Sequence, residues 1–293
     1  MSSPTLPFSI GCAVWAYKDW VGDLFPPASR QADFLRLYSR RLTTVEGNTT
    51  FYATPKPEVV QRWADETPSS FRFCFKLPRA LSHSGLLAPQ MALANDFIAR
   101  LAPLGARLGP FFLQLPPTYG PAYYADLEQF LAAWPADYPL TVEVRHPAWY
   151  EAPDEPRLMT LLDRQVVGRV IMDVRPIKIG AVGDEDAMLL ESARERKPDV
   201  PMRPLRSANL TLVRYIGNPQ LELNDALLDE WAARLAQWLR EGTHVYCFMH
   251  CPDEARSPAL CRALYRRLER LVPLPPLPWD SFPAESAEQT SMF

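Results

Sequence analysis

Six segments of this 293-residue chain set charged or amide side chains among apolar neighbours: Val45-Glu46-Gly47-Asn48, Phe75-Lys76, Leu113-Gln114-Leu115, Val142-Glu143-Val144-Arg145-His146, Met172-Asp173 and Val213-Arg214. Ionised groups are seldom tolerated in such surroundings unless they are paired or used. Glu46 and Glu143 are the two carboxylates that general acid–base chemistry needs. One paired with arginine and the other desolvated would divide the roles, with His83 or His146 returning the proton. Arg145, Arg214 and Lys76 offer guanidinium forks and a point charge suited to phosphate or carboxylate oxygens. Asn48, Gln114 and Asp173 complete the expected substrate-binding set, Trp15 and Trp149 follow strands and are placed to wall it, and His250 closes the last strand.

Lys76 has two readings, a salt-bridged lysine or an amine nucleophile. A divalent metal on Glu46, Glu143, Asp173 and His250 suits the donor types, but the adjacent cations compete with it, so the expected site has neither metal nor organic cofactor. The charged set also has a purely architectural reading. Glu46, Glu143, Arg145 and Arg214 would then satisfy one another as a buried ionic network. Glutamate-to-glutamine variants separate the two: catalysis predicts lost turnover at an unchanged melting midpoint, the network predicts unfolding.

These residues need elements to hold them. Short runs rich in β-branched and aromatic residues predict strands at Phe8–Val14, Thr43–Gly47, Phe71–Lys76, Phe111–Leu115, Leu140–Val144, Arg169–Val174, Leu210–Tyr215 and Val245–Met249. Amphipathic stretches between them predict helices at Arg30–Leu42, Pro57–Asp65, Gln90–Leu101, Tyr123–Trp134, Pro156–Gln165, Asp225–Arg240 and Ala259–Leu271, with Ser29, Thr54 and Asn224 as start signals. Residues 176–208 form an irregular excursion after strand six, with a helical pattern only over Asp184–Arg196. Eight strand–helix pairs over about 250 residues predict an α/β protein folded as a closed (β/α)8 TIM-like barrel. Strand alternation then points Glu46, Lys76, Gln114, Glu143 and Arg145 to the barrel axis, near the carboxyl ends where such barrels open to ligands. One barrel domain spans residues 1–272, and the Pro-rich, acidic segment 273–293 is a strap or tail.

Composition narrows the function. A net charge of −3, from 31 basic and 34 acidic residues, argues against holding nucleic acid by bulk charge, so any polyanion site is local. No run reaches the roughly 20 apolar residues of a bilayer span and no basic, apolar leader opens the chain, so a cytoplasmic protein without a membrane partner is expected. Five cysteines, an odd number, read as reduced packed thiols; Cys247 and Cys251 flank His250 but lack a second cluster to complete a metal set. The chain has no dinucleotide-binding glycine fingerprint, phosphate loop, serine-nucleophile elbow or His-Glu-x-x-His helix.

Five ordered segments resemble a known family: Trp15-Ala16-Tyr17-Lys18-Asp19-Trp20-Val21-Gly22, Val45 to Tyr52, Phe75-Lys76 with Ser82-His83, Leu113-Gln114-Leu115-Pro116-Pro117, and Val142 to Trp149. Together they are similar to the YecE-like family, domain of unknown function 72, over residues 9 to 270. The resemblance implies a TIM-like barrel and supplies no reaction. By motif it carries over Glu46, Asn48, Lys76, His83, Gln114, Glu143, Arg145 and His146, and more loosely Asp173 and Arg214. The chain departs from the family pattern at Arg214-Tyr215-Ile216-Gly217 and Phe248-Met249-His250, where His250 replaces an amide.

The expected function is acid–base enzymology on a small anionic substrate, such as a sugar phosphate or nucleotide fragment. A nucleic-acid-binding or phosphodiester-cleaving protein and a non-catalytic ligand binder are the alternatives.

Overall fold

The structure, a computed structural model, describes residues 7–180 and 184–281. Eight strands alternate with helices: β1 (Phe8–Cys12), α1 (Phe34–Tyr38), β2 (Thr44–Gly47), α2 (Pro57–Glu66), β3 (Arg72–Phe75), α3 (Arg79–Ser82), α4 (Met91–Leu101), β4 (Phe111–Gln114), α5 (Tyr124–Ala133), β5 (Leu140–Glu143), α6 (Asp154–Arg164), β6 (Gly168–Asp173), α7 (Asp184–Arg196), β7 (Leu210–Ile216), α8 (Asp225–Arg240), β8 (His244–His250), α9 (Ser257–Leu268) and α10 (Pro278–Ser281). The helices form where the apolar period allows. Along α8, Leu228, Trp231, Leu235 and Leu239 are buried at spacings of three and four, which turns one stripe onto the sheet.

The expected closed eight-stranded barrel is not what forms. The strands make an open, curled six-stranded parallel sheet in the order β1-β8-β7-β6-β5-β4, and a separate two-stranded parallel sheet, β2-β3. Both interruptions have local causes. Between β1 and β2 one backbone bond remains, from Thr43 N–H to the Ile10 carbonyl at 3.1 Å, and side chains take the neighbouring places. The Tyr38 hydroxyl accepts from Cys12 N–H at 2.6 Å and donates to the Thr44 carbonyl at 3.0 Å, while Thr43 Oγ1 accepts from Ile10 N–H at 2.8 Å. Between β3 and β4 there are isolated bridges at Phe73–Leu108 and Lys76–Phe112. Pro110, which lies between the two bridges, has no N–H to donate.

The interior of the curl is layered by strand alternation. Cys74, Phe112, Val170, Leu212 and Phe248 form a small apolar cluster. Two residues further along four of these strands stand Lys76, Gln114, Arg214 and His250, so a polar layer sits directly above an apolar floor. The larger apolar core lies between the sheets and the helices. Residues 273–281 pack on the body: Leu277 is buried, and Asp280 pairs with Arg262 at 3.0 Å and Arg266 at 2.8 Å. Residues 282–293 of the expected tail lie outside the described residues.

All five cysteines are free and buried, with Cys12 Sγ 3.6 Å from Cys261 Sγ. Burial also raises the thiol pKa of Cys74, Cys247 and Cys251, the last to about 12. Thiolates are the reactive form. The native protein is therefore expected to give no rapid reaction with Ellman's reagent and five thiols after denaturation. A full equivalent of fast native thiol would contradict this packing.

Candidate functional site

The polar layer is joined by one guanidinium. Arg214, on β7, donates from Nε and Nη2 to the Glu46 carboxylate at 2.9 and 3.0 Å, and from Nη1 to Glu143 Oε2 at 2.8 Å. It thereby ties the six-stranded sheet to the two-stranded one, with the Phe112 ring 5.1 Å away. Arg145 donates to Glu143 Oε1 at 2.6 Å and to Gln114 Oε1 at 2.7 Å, and Lys76 Nζ donates to the same Gln114 oxygen at 3.0 Å. Asn48 Nδ2 donates to Glu46 at 2.7 Å, and His250 Nε2 lies 3.3 Å from the other Glu46 oxygen. The register that sets β4 Gln114 beside β5 Glu143 makes this convergence a consequence of sheet geometry.

Electrostatics follow from the pairing. Burial pushes Glu46 upward, yet Arg214 and then His250 hold it well below the carboxylate range; Glu143, likewise buried, is held low by Arg145 and Arg214. Burial works against the Arg214 charge, and both carboxylates more than offset it. Lys76 differs. Burial and then the Arg214 charge bring it down to about 8, only partly opposed by Glu143 and Glu46. Burial also takes His250 to about 4 against the pull of Glu46, and burial with Lys76 and Arg145 takes His83 to about 4.

Above this layer opens a cavity of about 780 Å³, lined among others by Asn48, Phe51, Lys76, His83, Gln114, Arg145, Arg214 and His250. Four charged lining residues were missed by the sequence reading: Arg79, Arg196, Lys197 and Glu254. Burial and Arg214 bring Lys197 to about 8, and burial raises Glu254 to about 7. The signal for Lys197 was faint, a basic run ending α7 just before Pro198.

Several expected site residues go elsewhere. Asp173 faces the helices, bound by Arg175 at 2.8 Å and by Trp231 Nε1 at 2.8 Å. Trp149 is fully buried, donating to the Tyr119 carbonyl at 2.8 Å, and Trp15 packs edge-on against Trp63 and Phe73. His146 caps the turn at 147–150, where its Nδ1 accepts from Ala148 N–H at 3.2 Å. Among the described residues no group of three or more His, Cys, Asp or Glu side chains is placed to hold a metal. Arg214 stands between the two glutamates that such a site would need.

A parallel α/β fold with a charged layer at the carboxyl ends of its strands is the class that fold and site define. Residues 9–281 match the family model described as "Protein of unknown function DUF72", and the chain belongs to that family, as the five motifs had indicated. It is 36% identical over 277 residues to UPF0759 protein YecE of Escherichia coli K12, covering 93% of this chain and 98% of that protein. It is 22% identical over 254 residues to UPF0759 protein YunF of Bacillus subtilis, covering 81% and 86%. Its fold is shared with a DUF72 family protein from Thermotoga maritima, at a TM-score of 0.66, 19% identity, and coverage of 90% of this chain and 99% of that one. A second solved relative, from Enterococcus faecalis, gives 0.64 at 18% identity, covering 90% and 98%. No helix among the described residues is long and apolar enough to cross a membrane.

Proposed function

We propose that the cavity binds a small anionic molecule and performs acid–base chemistry on it. The observation that carries this is the balance of charge. Lys76, Arg79, Arg145, Arg196, Lys197 and Arg214 line the cavity, against Glu254 at its wall and Glu46 and Glu143 beneath, so six cations face three carboxylates. A bound phosphate or carboxylate would offset that surplus of three. The donors exist. Of the five N–H groups of a guanidinium, Arg214 uses three and Arg145 two in the network, and Lys76 uses one of its three.

The roles differ from the expected ones. Glu46 and Glu143 are committed to arginine and hold the anion-binding forks in place, whereas Lys76, Lys197 and Glu254, shifted to about 8, 8 and 7, are the groups poised to exchange protons near neutrality. The nucleic-acid alternative loses support, because Trp15 and Trp149, its expected stacking platforms, pack away from the cavity.

The reading is tested by thermal shift with inorganic phosphate and with a panel of phosphorylated and carboxylated small molecules. Ligand at about 100 times its Kd should stabilise the protein by about 2.7 kcal/mol. Lys76→Met and Arg145→Met should lose the shift while Lys178→Met, at an exposed ion pair, keeps it. Equal shifts in all three variants would mean a general salt effect and end the proposal. Consumption of a shifting ligand separates an enzyme from a binder without turnover.

A further inference from the structure

We infer that Lys76 is an amine nucleophile that forms an imine with the carbonyl carbon of a small keto or aldehyde acid, a reading that rests on the anion site proposed above. The geometry is specific to this lysine. Its Nζ lies at a strand end on the cavity wall, the residue is 9% exposed, and its hydrogen-bond partner is the neutral Gln114 Oε1 at 3.0 Å. Among the described residues no carboxylate stands within ion-pair distance of it, so the salt-bridged alternative for Lys76 is not what the fold builds. Gln114 Oε1 is shared with Arg145, which orients the amine without neutralising it. The Phe51 ring covers one side at 3.9 Å and keeps water from that face.

A lysine crowded by burial and by other cations is the kind that supplies free amine near neutrality. Its descent to about 8 is in keeping with that placement. The same cations that crowd it suit the carboxylate of the substrate, which would bring a neighbouring carbonyl carbon to the amine. In the step, the amine lone pair attacks that carbon and the carbonyl electron pair moves to oxygen. The resulting carbinolamine then loses the oxygen as water with the two amine hydrogens, leaving C=N. Nothing is oxidised or reduced. Glu254, on the cavity wall and shifted to about 7, is the acid available to protonate the departing oxygen.

The chain has five lysines, Lys18, Lys56, Lys76, Lys178 and Lys197, so trapping can be mapped completely. The wild-type protein is incubated at neutral pH with pyruvate and cyanoborohydride, whose hydride reduces the imine to a stable secondary amine, and digested for peptide mass spectrometry. Carboxyethylation of Lys76 should exceed that of exposed Lys18, Lys56 and Lys178 by more than about tenfold, because far more of its amine is unprotonated. Inorganic phosphate should protect it. Labelling that is even across the lysines, absent from Lys76, or concentrated on Lys197 overturns the inference. Failure here is distinct from failure of the anion site. The phosphate-dependent thermal shift is read on the same wild-type protein: a shift without any Lys76 adduct leaves anion binding standing and removes the nucleophile.

Discussion

Replacing Arg214 by methionine is expected to lower the unfolding free energy by about 3–5 kcal/mol, the cost of removing one partner from a buried ionic group. The side chain fits the general case closely. Glu46 and Glu143 are 0% and 2% exposed, and Arg214 supplies two hydrogen bonds to the first and one to the second. Without it Glu46 keeps Asn48 and His250 and Glu143 keeps Arg145, but two carboxylates that shared one cation face each other across the curl. Urea denaturation at neutral pH measures the loss. A change below about 1 kcal/mol would mean that the network behaves like a solvated surface pair. The same geometry revises the expectation that Glu46→Gln leaves the melting midpoint unchanged: that variant should also be destabilised. Because Glu46 and Arg214 are in contact, a double-mutant cycle between Glu46→Gln and Arg214→Met should show a coupling of about 1–3 kcal/mol rather than additivity. A structural role of this size does not argue against function, since the network is also what fixes the two guanidinium forks at the cavity floor.

Strand alternation made much of this floor legible in the sequence. Glu46, Lys76, Gln114, Glu143 and Arg145 share a face because each sits in phase with its apolar neighbours, and the interior apolar cluster one layer below follows the same period. Asp173 was misplaced by attending to its position at a strand end instead of its phase. Val170 faces the interior, so Asp173, three residues on, must face α8, where Trp231 meets it. Trp15 and Trp149 fail for a related reason, since adjacency to a strand end does not say which way a loop residue turns. Sheet closure was not legible at all. Whether β1 bonds directly to β2 depends on a hydroxyl from α1, and whether β3 bonds to β4 depends on a proline outside both strands. Lys197 was missed because it reaches the cavity from the excursion helix α7, whose packing on Val174, Ile177 and Ile216 is a long-range fact. Asn224, read as a helix start signal, does stand immediately before α8, but its side-chain oxygen caps no helix N–H; it accepts from Tyr215 Oη and Asn218 N–H, locking the loop after β7.

His250 should withdraw stability in acid before Glu46 and Glu143 titrate. His250 is 6% exposed and titrates at about 4 in the folded chain, because burial disfavours the imidazolium more than Glu46 favours it. Its unfolded value is near 6.5, so between pH 6.5 and 4 the unfolded state binds the extra proton. The contribution of His250 is therefore complete above about 6.5 and falls as pH drops through that window, by about 3 kcal/mol at its acid end for a shift of this size, whereas Glu254, raised by burial to about 7, acts with the opposite sign, its contribution growing as pH falls from 7 toward 4.5. His83, also lowered to about 4 but less enclosed, adds a smaller contribution with the same sign as His250. Glu46 and Glu143, held low by Arg214 and Arg145, act at a lower pH: their contribution is whole above the ordinary carboxylate value of 4.5 and is lost as pH falls through their depressed folded values. The charged groups influencing His250 are Glu46, Arg214 and Lys197, and Lys197, at about 8, titrates above the window, so the net slope from 6.5 to 4 is the loss from His250 and His83 set against the gain from Glu254. Urea midpoints measured across this range should fall more steeply toward acid in the wild type than in His250→Asn, whose amide can still donate to Glu46 but cannot be protonated. An equal slope in both proteins would assign the decline to other groups and place the His250 ring in contact with water.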